Sequence, residues 1–477
     1  MLDSGILDEL RMTVGEEHLL DSKKDLQVYE CDALTIFKNK PDAVVLPAST
    51  EEVAGIVKLC NREGIRFIPR GAGTSLSGGA NPVEGGLVIS LARMNKIVAT
   101  DFDNEVIEVE AGVVNSVLTD IASKEGFFFA PDPSSQNTCT IGGNVAHNSG
   151  GAHCLKYGVT SNHVVGLEVV LPDGEIMILG GHNLYNQGYD LLGLILGSEG
   201  TLGIVTKVLA RIVRKPKRIR TYLAVFGTVE DASNAVSAII SGGLIPAALE
   251  MMDPLAIHAI ESSKFAAGFP QDVGSILIIE VDGDAEELEI VSPIIMRLCT
   301  ENGAIDVKEA SSEVERKRWW KGRKGAFDSM KTISPSYYVQ DGVVPRNKLP
   351  ALMKKIEEIG KSYSLRIANV FHAGDGNLHP LILYDEKVPG EVEKVIKAGD
   401  EILLECIASG GSISGEHGIG IEKRTMMSHL YSPEDLDAML KIRSVFNPKN
   451  LCNPGKIFPS SGACASGVSG KVQKGSW

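Results

Sequence analysis

The side chains best placed for metal chemistry are two histidines set about a glycine turn. They lie in Asn369-Val370-Phe371-His372-Ala373-Gly374-Asp375-Gly376-Asn377-Leu378-His379-Pro380. An Asp-Gly dipeptide favours a two-residue hairpin turn. With Asp375-Gly376 as that turn, His372 and His379 stand directly opposite each other on one face. Opposed Cβ atoms lie about 4.5–5.5 Å apart, a spacing that suits two imidazoles on one divalent ion. A plain polar hairpin fits the same pair. A third ligand is on offer in Gly410-Gly411-Ser412-Ile413-Ser414-Gly415-Glu416-His417-Gly418-Ile419-Gly420, where glycines flank an acid next to a histidine. Two imidazoles and a carboxylate suit zinc, iron or manganese alike.

The first half carries a different chemistry. Arg70-Gly71-Ala72-Gly73-Thr74-Ser75-Leu76-Ser77-Gly78-Gly79 follows a predicted strand, and its glycines let backbone approach an anion closely. A dinucleotide fingerprint would need a third glycine where Leu76 stands, and a helix where Asn81-Pro82 and Gly85-Gly86 forbid one. A phosphate held here would therefore meet loop amides. Alone, such a loop suits a simple strand connection equally well. Two further segments shift the balance. One runs from Pro131-Asp132-Pro133-Ser134-Ser135-Gln136 through Thr140-Ile141-Gly142-Gly143-Asn144 to Asn148-Ser149-Gly150-Gly151; the other spans Gly197 to Thr206. Three such loops exceed what turns require.

The elements that must position these groups read as α+β. Strands are expected at Ala43–Pro47, Arg66–Pro69, Glu105–Glu110, Leu167–Leu171, Thr221–Phe226, Ser275–Val281 and Leu365–Phe371. Helices are expected at Thr50–Cys60, with Thr50 as cap, and at Val229–Ser241, Leu349–Tyr363 and Glu391–Ile407. A short polar lead precedes Ala43. The basic stretch Arg211–Arg220, interrupted by Pro216, marks the first boundary. The division is residues 1–215, 216–420, 421–458 and a flexible tail, 459–477, rich in Ser and Gly.

With 477 residues the chain is too long for one ordinary core. Its net charge of −14 has the wrong sign for a nucleic-acid binder. Met1–Met12 shows no export signal, and no apolar run spans a bilayer, so cytoplasmic placement is expected. The eight cysteines are scattered without a CxxC pair. Reduced thiols are the expectation, and an iron–sulfur cluster held by this chain alone is not.

Taken together, these motifs resemble the vanillyl-alcohol oxidase (PCMH) type of FAD-binding family. Within it they resemble the FAD-linked subunits of bacterial glycolate oxidases, with D-lactate and D-2-hydroxyglutarate dehydrogenases as wider relatives. Motif order agrees from about Tyr29 to Phe458. The resemblance implies a PCMH-type FAD-binding domain, an α+β substrate (cap) domain and a C-terminal segment returning to the flavin. It implies FAD with its pyrophosphate against Arg70, Gly71, Gly73, Thr74, Ser75, Gly78 and Gly79. Pro131, Asp132 and Ser134, with Gly142, Gly143, Asn144 and Asn148, would lie near the isoalloxazine and ribityl chain. Gly200, Gly203 and Ile204 would line the adenine side, and Asn453 would reach the flavin. Relatives that attach FAD covalently often use a histidine where this chain has Thr74 and Ser75, so non-covalent FAD is expected. His147 and His153 read as ordinary polar loop residues.

The same resemblance assigns His372, His379 and Glu416 as metal ligands and His417 as the base. Arg323, in Trp319-Trp320-Lys321-Gly322-Arg323-Lys324, would clamp the substrate carboxylate, and Asn377 would touch the substrate. The chemistry agrees: a 2-hydroxy acid chelates a cation, whose charge lowers the hydroxyl pKa. A histidine with a reference pKa of about 6.5 can then take the proton, and hydride would pass from the α-carbon to flavin N5. Dicarboxylate-oxidising relatives carry a lysine where Val339 stands, so a small monocarboxylate fits better. The implied reaction is glycolate to glyoxylate. D-lactate to pyruvate is the rival, since a methyl group is worth only about 1–3 kcal/mol of discrimination. A flavin relay or structural subunit is the non-enzymatic alternative. Electrons would leave through subunits carrying iron–sulfur centres or a second flavin, or through an electron-transferring flavoprotein, with peripheral association at the inner membrane through those partners.

Overall fold

Short, uninterrupted apolar runs become the innermost strands of the front half. Ala43–Val45, Leu87–Ser90 and Phe67–Arg70 pair in parallel, and Leu19–Leu20 adds an antiparallel edge. The computed structural model describes residues 2–182 and 188–459. The helix Thr50–Glu63 makes the crossover, and its cap is Ser49, whose hydroxyl accepts from Glu52 N. Thr50, expected as the cap, is the first helical residue; its hydroxyl instead donates to Glu168. The polar lead also contains a helix, Ser4–Val14, capped by Asp3.

A second sheet of five antiparallel strands runs in the order Ile97–Asp101, Val106–Glu110, Ile204–Arg211, Val164–Val170, Ile176–Gly180. Both sheets share one core, drawn from residues 10 to 212 plus Leu451 and Cys452. The C-terminal segment joins it by backbone bonds on either side of Cys452, Phe67 N to Leu451 O and Asn453 N to Phe67 O.

The rear half is an antiparallel sheet of eight strands. Seven run in the order Ala304–Glu309, Arg218–Phe226, Ser275–Gly283, Ala248–Met252, Arg366–His372, Asn377–Tyr384, Ser336–Val339; Gly342–Val343 also pairs with Asn377–Tyr384. Strand alternation divides its side chains between two cores. Leu277 and Ile279 face the helices Val229–Ser241, Ala285–Glu301, Leu349–Tyr363 and Glu391–Ala408. Ile276 and Ile278 face Pro254–Glu261 and Glu313–Lys324. Each such aliphatic side chain, fully buried, contributes about 1.5–3 kcal/mol. The second face is the one that matters for chemistry, because Glu250, Glu280, His372 and His379 occupy its positions in the alternation.

The histidine hairpin differs from the expected register. Its connection is the four-residue turn Ala373–Gly376, not Asp375-Gly376 alone, and His372 pairs with Asn377 while His379 pairs with Val370. Gly376, at φ +82°, adopts the left-handed backbone that closes the turn. The two histidines are thus diagonal rather than opposed, yet still on one face. Residues 460–477 of the expected tail lie outside the described residues.

Candidate active site

Backbone builds the front wall of the site. A cavity of about 470 Å³ runs between the three glycine loops and the rear half, within the size range of small-molecule and cofactor sites. A Cβ at Gly142 would stand 2.7 Å from Ala111 Cβ and 3.0 Å from Ala111 O, so only glycine fits that wall. Gly142 and Gly143 do not sit in a loop: they open the helix Ile141–His147, capped by Thr140. Asn144 Nδ2 and His147 Nδ1 are buried without a hydrogen-bond partner among the described residues, and both residues line the cavity. Unmet polar atoms in a glycine-lined hollow are what a large polar cofactor would satisfy.

The rear wall is made of side chains. His372 Nε2 and His379 Nε2 lie 3.3 and 3.1 Å from the same atom, Glu416 Oε1. Their rings meet edge to face, with centroids 5.1 Å apart. On the far side of His372, Glu250 accepts from Nδ1 at 2.8 Å. That bond orients the ring, with Nδ1 donating to Glu250 and Nε2 directed at Glu416. The donor set fits a divalent cation. Burial would lower the His372 pKa, but Glu250 and Glu416 raise it well above the ordinary value. Burial would raise Glu416, but the two histidines hold it well below. His417 stacks on His379 at 4.9 Å, and its Nε2 is 4.0 Å from Glu416 Oε1. Burial pushes its pKa down to about 4, so its imidazole is neutral. Glu416 and His417 both line the cavity, so the two walls enclose one space.

Comparison with known proteins agrees with this division. A family described as "FAD binding domain" matches residues 41–180, and one described as "FAD linked oxidases, C-terminal domain" matches residues 215–457. The chain is 43% identical over 466 residues to the glycolate oxidase subunit GlcD of Escherichia coli (strain K12), covering 97% of this chain and 92% of that protein. This chain belongs to the FAD-linked oxidase family. It is also 35% identical to a D-lactate dehydrogenase of Anaerostipes hadrus over 94% of each chain. The structure of p-cresol methylhydroxylase with substrate bound superposes with a TM-score of 0.80 at 18% identity, over 96% of this chain and 97% of that one, which establishes the fold.

Within this FAD-linked oxidase, most of the expected cofactor residues line the cavity: Arg70, Gly71, Gly73, Thr74, Ser75, Gly79, Ser134, Gly142, Gly143, Asn144, Gly200, Gly203 and Ile204. Others are not among its lining residues. Gly78 packs so closely on Ile421 that a Cβ would be 2.4 Å from it. Pro131 gives its carbonyl to Asn115, and Asn148 accepts from Ser161 N. Asn453 ties two cofactor loops together, donating from Nδ2 to Gly79 O and Glu199 O at 3.0 and 2.7 Å. Asp132 is drawn away by charge. It accepts from His153 Nδ1 at 2.9 Å and from Lys324 at 3.2 Å.

Arg323 and Asn377, like His372 and His379, are not among the cavity's lining residues. Arg323 is 3% exposed, and its Nη2 pairs with Glu250 Oε2 at 2.5 Å, behind His372 rather than in the cavity. One residue further along the helix Glu313–Lys324 is rotated by roughly 100°, and it is Lys324 that lines the cavity, with Phe327 and Tyr337. Asn377 is buried against the backbone of Gly415, where a Cβ would be 2.4 Å from its Nδ2.

Sequence reading missed several groups. Glu250 stands in the otherwise apolar strand Ala248–Met252, and a lone acid in such a run was the available signal. Glu199 joins the halves, accepting from Ile419 N and Gly420 N at 2.6 and 2.7 Å. His147, read as an ordinary loop residue, lines the cavity. His153 bridges the halves through Asp132 and Glu280.

Proposed function

We propose that this FAD-linked oxidase converts a small 2-hydroxy acid, glycolate foremost, to the 2-oxo acid, with non-covalent FAD in the front cradle and a divalent cation on His372, His379 and Glu416. The observation that carries the reading is the meeting of His372 Nε2 and His379 Nε2 at one oxygen of Glu416, a residue that lines the same cavity as the glycine loops. When bound, FAD supplies the two-electron acceptor, and the cation supplies a Lewis acid that lowers the pKa of a hydroxyl.

The chain's own residues supply the rest. His417, a neutral imidazole at the cavity edge, takes the hydroxyl proton at Nε2. The Lys324 ammonium meets the substrate carboxylate. Phe327 and Tyr337 limit the room beside them, which favours a two- or three-carbon acid over a dicarboxylate. Glu250 and Arg323 hold His372 from behind. A flavin relay would have no use for this set.

Electrons leave to a partner. The name of the Escherichia coli relative describes a subunit, which supports an assembly here too. Its carriers would hold iron–sulfur centres or a second flavin, or be an electron-transferring flavoprotein, and would bring the chain to the inner membrane peripherally. Among the described residues no helix is long and apolar enough to cross a membrane.

The test is anaerobic bleaching of the flavin with glycolate, D-lactate, L-lactate and D-2-hydroxyglutarate. Glycolate should bleach fastest, D-lactate should follow, and D-2-hydroxyglutarate should leave the spectrum unchanged. Faster bleaching by D-lactate would favour the rival substrate that the Anaerostipes hadrus relative's name supplies; bleaching by none would contradict the reading. Acid precipitation should release all the FAD.

A further inference from the structure

We propose that Asp341 is a positioning residue whose single buried carboxylate holds the loop bearing Glu416 and His417 and places a negative charge behind the imidazole of His379. The inference rests on the metal site proposed above. Asp341 is 0% exposed and sits between the strands Ser336–Val339 and Gly342–Val343. Its Oδ2 accepts from three consecutive backbone amides, Gly415 N at 3.0 Å, Glu416 N at 3.2 Å and His417 N at 2.9 Å. The Ser414 hydroxyl donates to the same oxygen at 2.6 Å, and Lys423 Nζ stands 3.4 Å away. Loop amides converging on one acceptor fix the direction of the side chains they carry, here a proposed ligand and a proposed base.

The other carboxylate oxygen faces the histidines. Asp341 Oδ1 is 3.9 Å from His379 Nδ1. One nitrogen from each of His379 and His417 and one Asp341 oxygen all lie within 4.8 Å of one another. His379 Nδ1 and His417 Nδ1 are buried without a hydrogen-bond partner among the described residues. An imidazole that ligates through Nε2 carries its proton on Nδ1 and needs an acceptor there. Glu250 is that acceptor for His372 at 2.8 Å; for His379 the carboxylate on that side is Asp341, at 3.9 Å and so in charge contact rather than hydrogen-bonded. Each proposed ligand histidine thus has a buried carboxylate on its Nδ1 side, hydrogen-bonded at His372 and in charge contact at His379, and Asp341 also holds the backbone of the third proposed ligand and of the base.

The experiment uses the full FAD-loaded chain with Asp341→Asn, titrated with zinc against a competing chelator and then assayed at saturating zinc. Zinc affinity should fall by about 10–100-fold. Turnover at saturating zinc should fall by about 10-fold or more, with KM for glycolate within about threefold, because the base is displaced and the carboxylate subsite is not. Flavin content should be unchanged. Ser414→Ala, which leaves every charge in place, guards against a variant that does not fold; it should weaken zinc by about three- to tenfold, through loss of the hydroxyl's bonds to Asp341 and from Gly418 N. A merely structural role would lower the melting temperature while leaving zinc affinity and saturated turnover at wild-type values in both variants. That result would overturn the inference alone, whereas a wild-type chain that binds no zinc would overturn the site reading beneath it.

Discussion

The two walls of the cavity are specified in opposite ways. The front wall works by absence: at Gly142 or Gly71 a methyl group would collide with Ala111 or Thr140, and the cofactor surface is backbone. The rear wall works by convergence, with His372 and His379 from a hairpin, Glu416 and His417 from a loop, Glu250 from another strand and Asp341 from the link between Ser336–Val339 and Gly342–Val343. A wall of the first kind tolerates loss of side-chain atoms and fails when one is added. The second kind fails when a single group is removed. The difference teaches where each half is vulnerable, and it can be broken experimentally.

The largest effect belongs to the rear. His379→Ala or Glu416→Gln should cut turnover by about a thousandfold or more, the several kcal/mol that a Lewis acid contributes, while the flavin absorbance per chain stays at the wild-type value. Gly142→Val is the converse. Overpacking costs about 1–3 kcal/mol, so FAD should bind about 10–100-fold more weakly by fluorescence titration, with zinc affinity retained. If Gly142→Val lost zinc but kept flavin, the two walls would not be separable.

Lys324→Met sharpens the comparison at the seam. A hydrogen bond to a charged group is worth about 1.5–3 kcal/mol, so KM for glycolate should rise by about 10–100-fold with a smaller change in kcat. Arg323→Met should instead weaken metal binding, because Arg323 acts on Glu250. The smallest effect is on stability. Burial would lower the His153 pKa, but Asp132 and Glu280 raise it to about 10, above the unfolded value of about 6.5. Its contribution is therefore complete below the unfolded value and fades as pH rises through about 10. The melting-temperature deficit of His153→Gln should accordingly be largest below the unfolded value of about 6.5 and shrink as pH rises toward about 10.

Much of this was legible in the sequence, for local reasons. Glycine loops announce a close backbone approach, and three of them in one half announced a cradle. The histidine pair survived an error in register. The turn has four residues, so every pairing shifts by two, and a shift of two keeps a side chain on its face where a shift of one would not. Arg323 and Lys324 were harder, since adjacent helical residues point in different directions and only the docking of the helix decides which one meets the cavity. The partners of Glu250 and Asp341 were out of reach. Glu250 lies more than a hundred residues from the histidine it supports, and nothing local marks an acid in a buried strand as the partner of a distant imidazole.

The central claim is that two histidines and a glutamate hold a cation needed to oxidise the substrate beside the flavin. Stripping the purified chain with a chelator, then mixing it anaerobically with glycolate, tests it most directly. The account predicts full FAD content, no bleaching after stripping, and recovery when one equivalent of zinc or manganese is restored. Bleaching of the stripped, metal-free chain at the untreated rate would contradict it.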